Sequence, residues 1–386
     1  MKIKGYRRPD GKLGIRNHVL ILPCSLCASE TARFAASLVD GAIYIPNQGG
    51  CAVVKKDLEM TLEILSGFAA NPNVYGTVVI GNSCEAVQAS VLVEKIKEKT
   101  NKPLESVVIR EAGGTIKAVE QVCRYAQKMA ADAGMTEKTE GDFSELILGT
   151  ECGGSDPTSG LAANPVVGEV SDKFVNLGAT SILSETSELI GTEDILAPRC
   201  VNDEVAQKLL KIIKDNEEHF ERAGESLRFG NPTPGNKAGG LTTIEEKSLG
   251  CIHKAGESPI NAVYGYGEMI DKKGLVVMDT PGQDLASIAA MVAGGAQIVV
   301  FTTGRGTPTG NAIVPVVKVT GNSETAELMK DNIDFDASSV ISGEKTIEEL
   351  GEELFEEVKK VVDGKKSKAE ALGFNDISMA RVCNFC

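Results

Sequence analysis

The sequence has no tryptophan, and aromatic residues make up only 4% of its 386 positions, so it offers no platform on which nucleobases could stack. Acidic residues outnumber basic ones to a formal charge of -14, which argues further against a phosphate-backbone partner. A local group of Arg and Lys can still hold an anionic substrate inside such a surface. The opening residues 1–8 lack an apolar leader, and no apolar run approaches the ~20 residues of a membrane span. A cytoplasmic protein is expected, with neither nucleic acid nor membrane as partner.

Histidine is also scarce, limited to His18, His219 and His253, whereas there are ten cysteines. In a reducing cytosol these are thiols or metal ligands rather than disulfides. Packing roles are expected for Cys123, Cys200 and Cys251, since free Cys is often a small buried hydrophobe. Four others lie just beyond short apolar runs that read as strands, beside small or polar residues: Cys27 after HVLILPC, Cys51 in NQGGC, Cys84 in VVIGNSCE and Cys152 in LILGTECGGSD. A parallel α/β sheet carries its ligand crevice outside the carboxyl ends of its strands. These four are therefore the candidate metal ligands or reactive thiols. Cys24 with Cys27, and Cys383 with Cys386, each form a CxxC, but the long gaps between pairs are not those of a structural zinc motif.

Apolar, β-rich runs alternate with helix-period segments throughout, the pattern of a parallel α/β protein. Length favours two domains. Residues 1–134 read as an N-terminal α/β domain, 135–144 as a polar linker, and 145–386 as a C-terminal α/β domain. Strands are expected at 18–23, 42–46, 76–81 and 106–110, then at 145–149, 180–184, 275–278, 297–302 and 314–319. Helices are expected at 58–68, 86–97, 117–133, 166–177, 203–223 and 346–363. Residues 229–249, rich in Gly, Pro, Asn and Thr, read as a long loop of the kind that needs a functional reason. The tail beyond the last helix shows no clear element.

Several segments have the composition of sites. Residues 5–18 combine a Pro-Asp-Gly turn with Arg7, Arg8 and Arg16, and taken alone read as a solvated basic lead-in. Residues 153–160, between a strand and a helix, offer backbone N–H groups to an anion. Glu185 and Glu188 are paired carboxylates after a strand, although capping by Ser184 or Thr186 fits the same local sequence. Lys237 stands alone in a Gly/Pro/Asn stretch, where lysine serves as a general base or as a fixed cation. Arg305 in TTGRGTPTG suits a bidentate grip on a carboxylate. No GxxxxGK[ST] occurs, so nucleotide hydrolysis lacks support.

Together these strings resemble the large catalytic region of the altronate/galactarate dehydratase family, which includes the large subunit of sulfolactate sulfo-lyase. The matching strings are GYRRPDGKLGIRN, GNSCE, ECGGSDPTSGLAANP, ILSETSE, NPTPGNKAGGLTTIEEKSLG, VVMDTPG and FTTGRGTPTG, in the family's order from residue 5 to about residue 310. The resemblance implies two Rossmann-like domains with mainly parallel sheets, and an iron-dependent hydro-lyase. Such an enzyme removes water from a sugar acid such as altronate or galactarate to give a 2-keto-3-deoxy acid. Sulfite elimination from sulfolactate is the alternative, because the strings are shared by both branches. A non-catalytic scaffold is a third reading, against which the charged and thiol residues at strand ends argue.

The proton α to a carboxylate is weakly acidic, so a base must work with cations or metal that stabilise the enolate, and an acid must assist the departing hydroxyl. On the resemblance, Arg8, Arg16, Asn17 and Arg305 are expected to bind the substrate carboxylate, Lys237 to be the base, and Glu185 or Asp156 the acid. Cys27, Cys51, Cys84 and Cys152 are expected to hold the iron, as Fe2+ or as an iron–sulfur cluster. The scarcity of histidine favours thiolate ligands or ligands from a partner. The family's sugar-acid enzymes carry a further N-terminal domain of roughly one hundred residues, a small-module length. A separate small subunit in an oligomeric enzyme is therefore expected. The Cys383/Cys386 tail has no counterpart in the family pattern.

Overall fold

The computed structural model describes residues 1–222 and 224–383. Strand β1 (Lys2–Arg7) turns at Gly11 into the short β2 (Leu13–Gly14). Four strands follow, β3 (His18–Pro23), β4 (Ala42–Tyr44), β5 (Val74–Gly81) and β6 (Leu104–Val108), in a wholly parallel sheet of order β4-β3-β5-β6. Strand β3 is almost entirely apolar because parallel strands are covered on both faces. Strand β7 (Thr139–Asp142) then returns antiparallel to β1, so the stretch read as a linker contributes a strand to the small sheet β2-β1-β7. Its sequence, TEGD, has no apolar alternation, and only the distant pairing partner makes it a strand.

The second half builds β8 (Ile147–Gly153), β9 (Thr180–Leu183), β10 (Ile260–Tyr264), β11 (Gly274–Met278), β12 (Ile298–Thr303), β13 (Val316–Thr320) and β14 (Phe335–Asp336). They form a seven-stranded, wholly parallel sheet of order β10-β11-β9-β8-β12-β13-β14. The α/β class and the mainly parallel sheets are as the sequence led one to expect. Residues 229–249 depart from it: Thr233 caps a short helix, Pro234–Ala238, and Thr243 caps another, Ile244–Ile252. The expected helix 203–223 is seen as Asp203–Arg222, with Ala223 outside the described residues.

The two parallel sheets share one core. Leu20, Leu22 and Val79 of the first sheet and Ile182, Val276 and Val299 of the second belong to a single buried apolar cluster. Helices Lys55–Ala70 and Asp284–Ala293 fill the space between them, packed so closely at Gly67 that a Cβ there would lie 2.7 Å from the Ala293 Cβ. The outer face of the seven-stranded sheet is covered by Asn164–Asn176 and Ile347–Val362, where Phe143, Phe174 and Phe355 meet edge to face or tilted.

The last described residues cross from one central helix to the other. The Tyr266 hydroxyl donates to Ala286 O and accepts from Ala380 N, both at 3.0 Å, and Val382 N donates to Asp57 Oδ1 at 2.6 Å. One residue, Arg381, stands between these anchors, which are therefore at most about 7 Å of extended chain apart. The N-terminal ends of helices Lys55–Ala70 and Asp284–Ala293 therefore lie on one side of the molecule.

Candidate active site

Three elements deliver polar side chains to one buried point beyond the carboxyl end of the seven-stranded sheet. Strand β8 ends in Glu151, Cys152 and Gly153. After β9 the chain turns sharply at Glu185, which has a left-handed φ of 68° that non-glycine residues seldom adopt. Thr280 Oγ1 accepts from Glu185 N at 2.7 Å and holds that turn, and the following turn sets Glu188 beside Glu185. Helix Ile244–Ile252 and the turn after it contribute Lys247, Cys251 and Lys254, spaced i, i+4, i+7 and so on one face.

Cys152 stands at the centre. Its Sγ lies 3.3 Å from Glu188 Oε2, 3.6 Å from Glu185 Oε1, 3.3 Å from Lys254 Nζ and 4.0 Å from Cys251 Sγ, while its backbone N–H donates to Glu185 Oε2 at 3.0 Å. Lys254, wholly buried, pairs with Glu185 and lies 2.7 Å from Cys251 Sγ. Lys247 pairs with Glu188 at 2.6 Å. Two ammonium groups thus face two carboxylates out of water, where removal of one partner would strand a charge.

Burial pushes the Glu185 carboxyl up despite Lys254, whereas at Glu188 the same burial is outweighed by Lys247 and Lys254, and that carboxyl is held low. Burial disfavours the Lys254 ammonium, but the surrounding thiols and carboxylates outweigh it and keep it charged. The hydrogen bond with Cys251 and burial hold Cys152 as a thiol.

Beside this group, Glu151 is fully buried, with Oε2 accepting from Ser287 Oγ at 2.6 Å and Ser184 Oγ at 3.1 Å, and its other oxygen unpartnered. Burial and the neighbouring Glu185 raise its pKa. Asp284, at the head of its helix, is pushed up to about 7 by burial and Glu185. It approaches β8 so closely that a Cβ on Gly153 would lie 2.1 Å from Asp284 Oδ2. A cavity of about 270 Å³, at the lower end for small-ligand sites, adjoins the group and is lined by Cys152, Asp156, Asn164, Lys247 and His253, among others.

The structure brings together three of the residues singled out in the sequence, Cys152, Glu185 and Glu188. Asp156 borders the cavity, its carboxylate accepting from Thr158 Oγ1, Ser159 N and Asn322 Nδ2. Lys237 is exposed on the helix Pro234–Ala238, whose Asn236 anchors to Ser155 O at 3.0 Å. Arg305 is exposed beside Gly154. Arg8, Arg16 and Asn17 stand elsewhere, bound into the framework. Arg8 donates to Pro72 O, Asn17 Oδ1 and Arg16 O; Arg16 grips Glu370 with two bonds and reaches Val361 O and Lys365 O; Asn17 donates to Ala133 O.

Cys27, in the first turn of helix Leu26–Ser37, and Cys51 and Cys84, on loops, belong to the four-stranded half of the molecule and are not among the residues grouped with Cys152. Cys386 lies outside the described residues. Cys251 corrects an expectation: it is buried, yet it faces Lys254 and Cys152 rather than only apolar neighbours. Sequence reasoning missed Lys247, Lys254, Glu151 and Asp284. The signal for the first two was a polar i, i+4, i+7 stripe, Lys247–Cys251–Lys254, in a stretch read as loop.

Among the described residues, one group of His, Cys, Asp or Glu brings its possible ligand atoms within 4.8 Å of one another: Cys152, Glu185, Glu188 and Cys251. By donor type it could hold a metal ion, including iron. The Lys254 ammonium, however, already contacts three of the four and supplies the countercharge that a cation would bring.

Comparison with known proteins agrees with this layout. Residues 5–134 match the D-galactarate dehydratase/altronate hydrolase second-domain family, and residues 143–384 match the D-galactarate/altronate dehydratase C-terminal family. Altronate dehydratase of Bacillus subtilis is 35% identical over 97% of this chain and 77% of its own. Galactarate dehydratase (L-threo-forming) of Escherichia coli is 35% identical over 94% of this chain and 73% of its own. The (2R)-sulfolactate sulfo-lyase subunit beta of Chromohalobacter salexigens is 36% identical over 98% of this chain and 97% of its own.

Proposed function

The chain belongs to the D-galactarate/altronate dehydratase family, and from that premise we propose that it is a lyase that removes water from a sugar acid such as altronate or galactarate to give a 2-keto-3-deoxy acid. The observation that carries the proposal is the buried group Cys152, Glu185, Glu188, Cys251, Lys254 and Lys247 beside a small cavity. Two carboxylates balanced by two ammonium groups out of water are costly as mere packing. They supply what β-elimination needs: carboxyl groups to move protons, and fixed cations for the enolate charge.

Asp284 and Glu185 divide the proton work. Asp284, near 7 and partly exposed, takes the α-proton when ionised; Glu185, raised by burial, passes a proton from the Lys254 ammonium to the departing hydroxyl. Lys247, which lines the cavity, holds the substrate carboxylate, and Lys254 fixes Glu185. Lys237, on helix Pro234–Ala238, and Arg305, on the loop beside Gly154, flank residues 154–156, where an exposed cation suits carboxylate binding better than the part of the base expected for Lys237. Asp156, its oxygens occupied, positions the cavity wall. Arg8, Arg16 and Asn17 are left to the framework.

Iron, when bound, would brace the segments that carry its ligands, and the charge that develops in the elimination would be met by the fixed cations of the buried group. Because Lys254 fills the charge centre of the buried group, we assign iron to the thiols Cys27, Cys51 and Cys84. The sulfo-lyase reading stays beside the dehydratase reading on one observation, the near end-to-end match to the sulfo-lyase subunit. That relative is named a subunit beta, and a separate small subunit in a cytoplasmic oligomer is part of the proposal. The test is turnover of altronate, galactarate and sulfolactate by the chain, alone and co-expressed with a small partner encoded nearby. Keto-acid release from either sugar acid, raised by the partner, is expected; sulfite release from sulfolactate alone would move the chain to the other branch, and no turnover of any would overturn the lyase reading.

A further inference from the structure

Two loops and the first turn of helix Leu26–Ser37, at the carboxyl end of the four-stranded sheet, carry Cys51, Cys84 and Cys27, and backbone hydrogen bonds tie them together. Leu26 N donates to Gly49 O at 2.9 Å and Val87 N to Gly50 O at 3.0 Å. Asn47, buried, clamps the same place, its side chain donating to Pro23 O and Cys24 O and accepting from Gly49 N. Gly50 is required, since its φ is 84° and a Cβ there would lie 2.1 Å from Cys24 O.

The chain's tail comes to this point. Arg381 Nη2 donates to Gln48 O at 3.0 Å, and the buried Asp57 accepts from Val382 N at 2.6 Å and from Cys383 N at 3.3 Å. A fourth cysteine is thereby fixed beside the Cys51 loop. Cys27, Cys84 and Cys383 are exposed and Cys51 is half-buried, so none serves as core. Cys24 does: burial pushes its thiol up, and Cys27 alone of that CxxC faces outward.

Further observations mark these loops as built for a ligand. Non-glycine residues with positive φ number three among the described residues; one is Glu185, and the others are Ala52 and Ser83, each adjoining one of these cysteines. Two buried side-chain oxygens without a partner, Ser25 Oγ and Glu85 Oε2, belong to the same loops. Asn82 Nδ2 donates to Cys84 Sγ at 3.2 Å, the kind of bond that tunes cluster sulfur.

We propose that Cys383, delivered by the docked tail, joins Cys27, Cys51 and Cys84 as the fourth thiolate ligand of an iron–sulfur cluster. No three of these thiols lie within 4.8 Å of one another. A single ion with metal–sulfur bonds of about 2.3 Å needs a closer set, whereas a cluster's several irons hold their thiolates further apart. The Arg381 guanidinium, beside Gly49, offsets part of the negative charge. This inference rests on the assignment of iron to Cys27, Cys51 and Cys84.

The experiment is anaerobic reconstitution of the full chain with ferrous iron and sulfide, followed by metal and sulfide analysis and electron paramagnetic resonance before and after mild ferricyanide oxidation. The wild type should hold iron and sulfide in equal amounts and resist oxidative loss of iron. Cys383→Ala should bind a cluster that loses about one iron in four on oxidation, gives a three-iron signal and regains the iron when ferrous salt is added. Cys27→Ala, Cys51→Ala and Cys84→Ala should fail to hold a cluster, while Cys123→Ala leaves it unchanged. If Cys383→Ala behaves as wild type, or if Cys386→Ala rather than Cys383→Ala frees the iron, Cys383 is not the ligand. If the wild type binds no iron and sulfide at all, the underlying assignment falls with it.

Discussion

The two groups of thiols in this molecule lie at the carboxyl ends of two parallel sheets, yet they are built in opposite ways. Cys152 and Cys251 are sealed in, and Lys254 and Lys247 balance the carboxylates around them. Cys27, Cys84 and Cys383 face outward, left-handed residues adjoin Cys51 and Cys84, unpartnered oxygens lie at Ser25 and Glu85, and among the described residues Cys84 receives a hydrogen bond from the Asn82 amide. The first group carries its own countercharges, which suits the proton chemistry proposed for it, and the second is the place proposed for iron. The tail that bridges the heads of the two central helices sets both on one side of the molecule.

Breaking the sealed group should have the largest effect. Lys254→Met leaves Glu185 and Glu188 with one ammonium for two carboxylates in a buried place, and removal of one partner of a buried pair costs about 3–5 kcal/mol. Urea unfolding should show that loss; a midpoint equal to wild type would mean that the group is not charge-balanced as described.

Asp284→Asn should come next, lowering turnover by on the order of a hundredfold or more, as for loss of a general base. The wild-type rate should rise as pH passes through about 7, where Asp284 ionises, and the variant should lose that limb. Stability runs the other way. The folded carboxyl holds its proton more tightly than the unfolded one, so stability should fall as pH rises from the ordinary value of 3.8 to about 7. Asp284→Asn should flatten that slope.

Gly153→Ala sharpens the same contrast more gently. Its Cβ would collide with Asp284 Oδ2, and an overpacked site costs typically about 1–3 kcal/mol. Thermal melting together with activity should show a stable but slower enzyme. The smallest effect belongs to an exposed ion pair: Lys97→Ala removes a contact with Glu94 on a helix surface and should change stability by no more than about 0.5 kcal/mol. If it matched Lys254→Met, burial would not be what separates the two kinds of pair.

Much of this could be read before the structure. Strand β3 at residues 18–23 was legible because a strand buried on both faces is a continuous apolar run. Cys152 and Glu185 were legible because both end such runs. Strand β7 was not, since TEGD becomes a strand only by pairing with β1. Lys237 drew attention as a lone cation among glycines, whereas Lys247 and Lys254 lay hidden in a helix begun by Thr243 inside a stretch whose composition reads as loop. Arg8 and Arg16 looked free in the sequence because the carbonyls that occupy them, Pro72, Val361 and Lys365, are far along the chain. Local patterns located the sheet edges; which charge meets which across those edges is a tertiary fact.

In the proposed elimination Glu185, raised by burial and fixed by Lys254, moves a proton. Glu185→Gln keeps the shape of the side chain and removes its charge, leaving Glu188 as the carboxylate that faces Lys247 and Lys254. The direct measurement is keto-acid release from altronate and galactarate by wild type and Glu185→Gln, with folding checked by circular dichroism. A folded variant slowed by on the order of a hundredfold or more is expected. A folded variant that turns over at the wild-type rate would contradict that role.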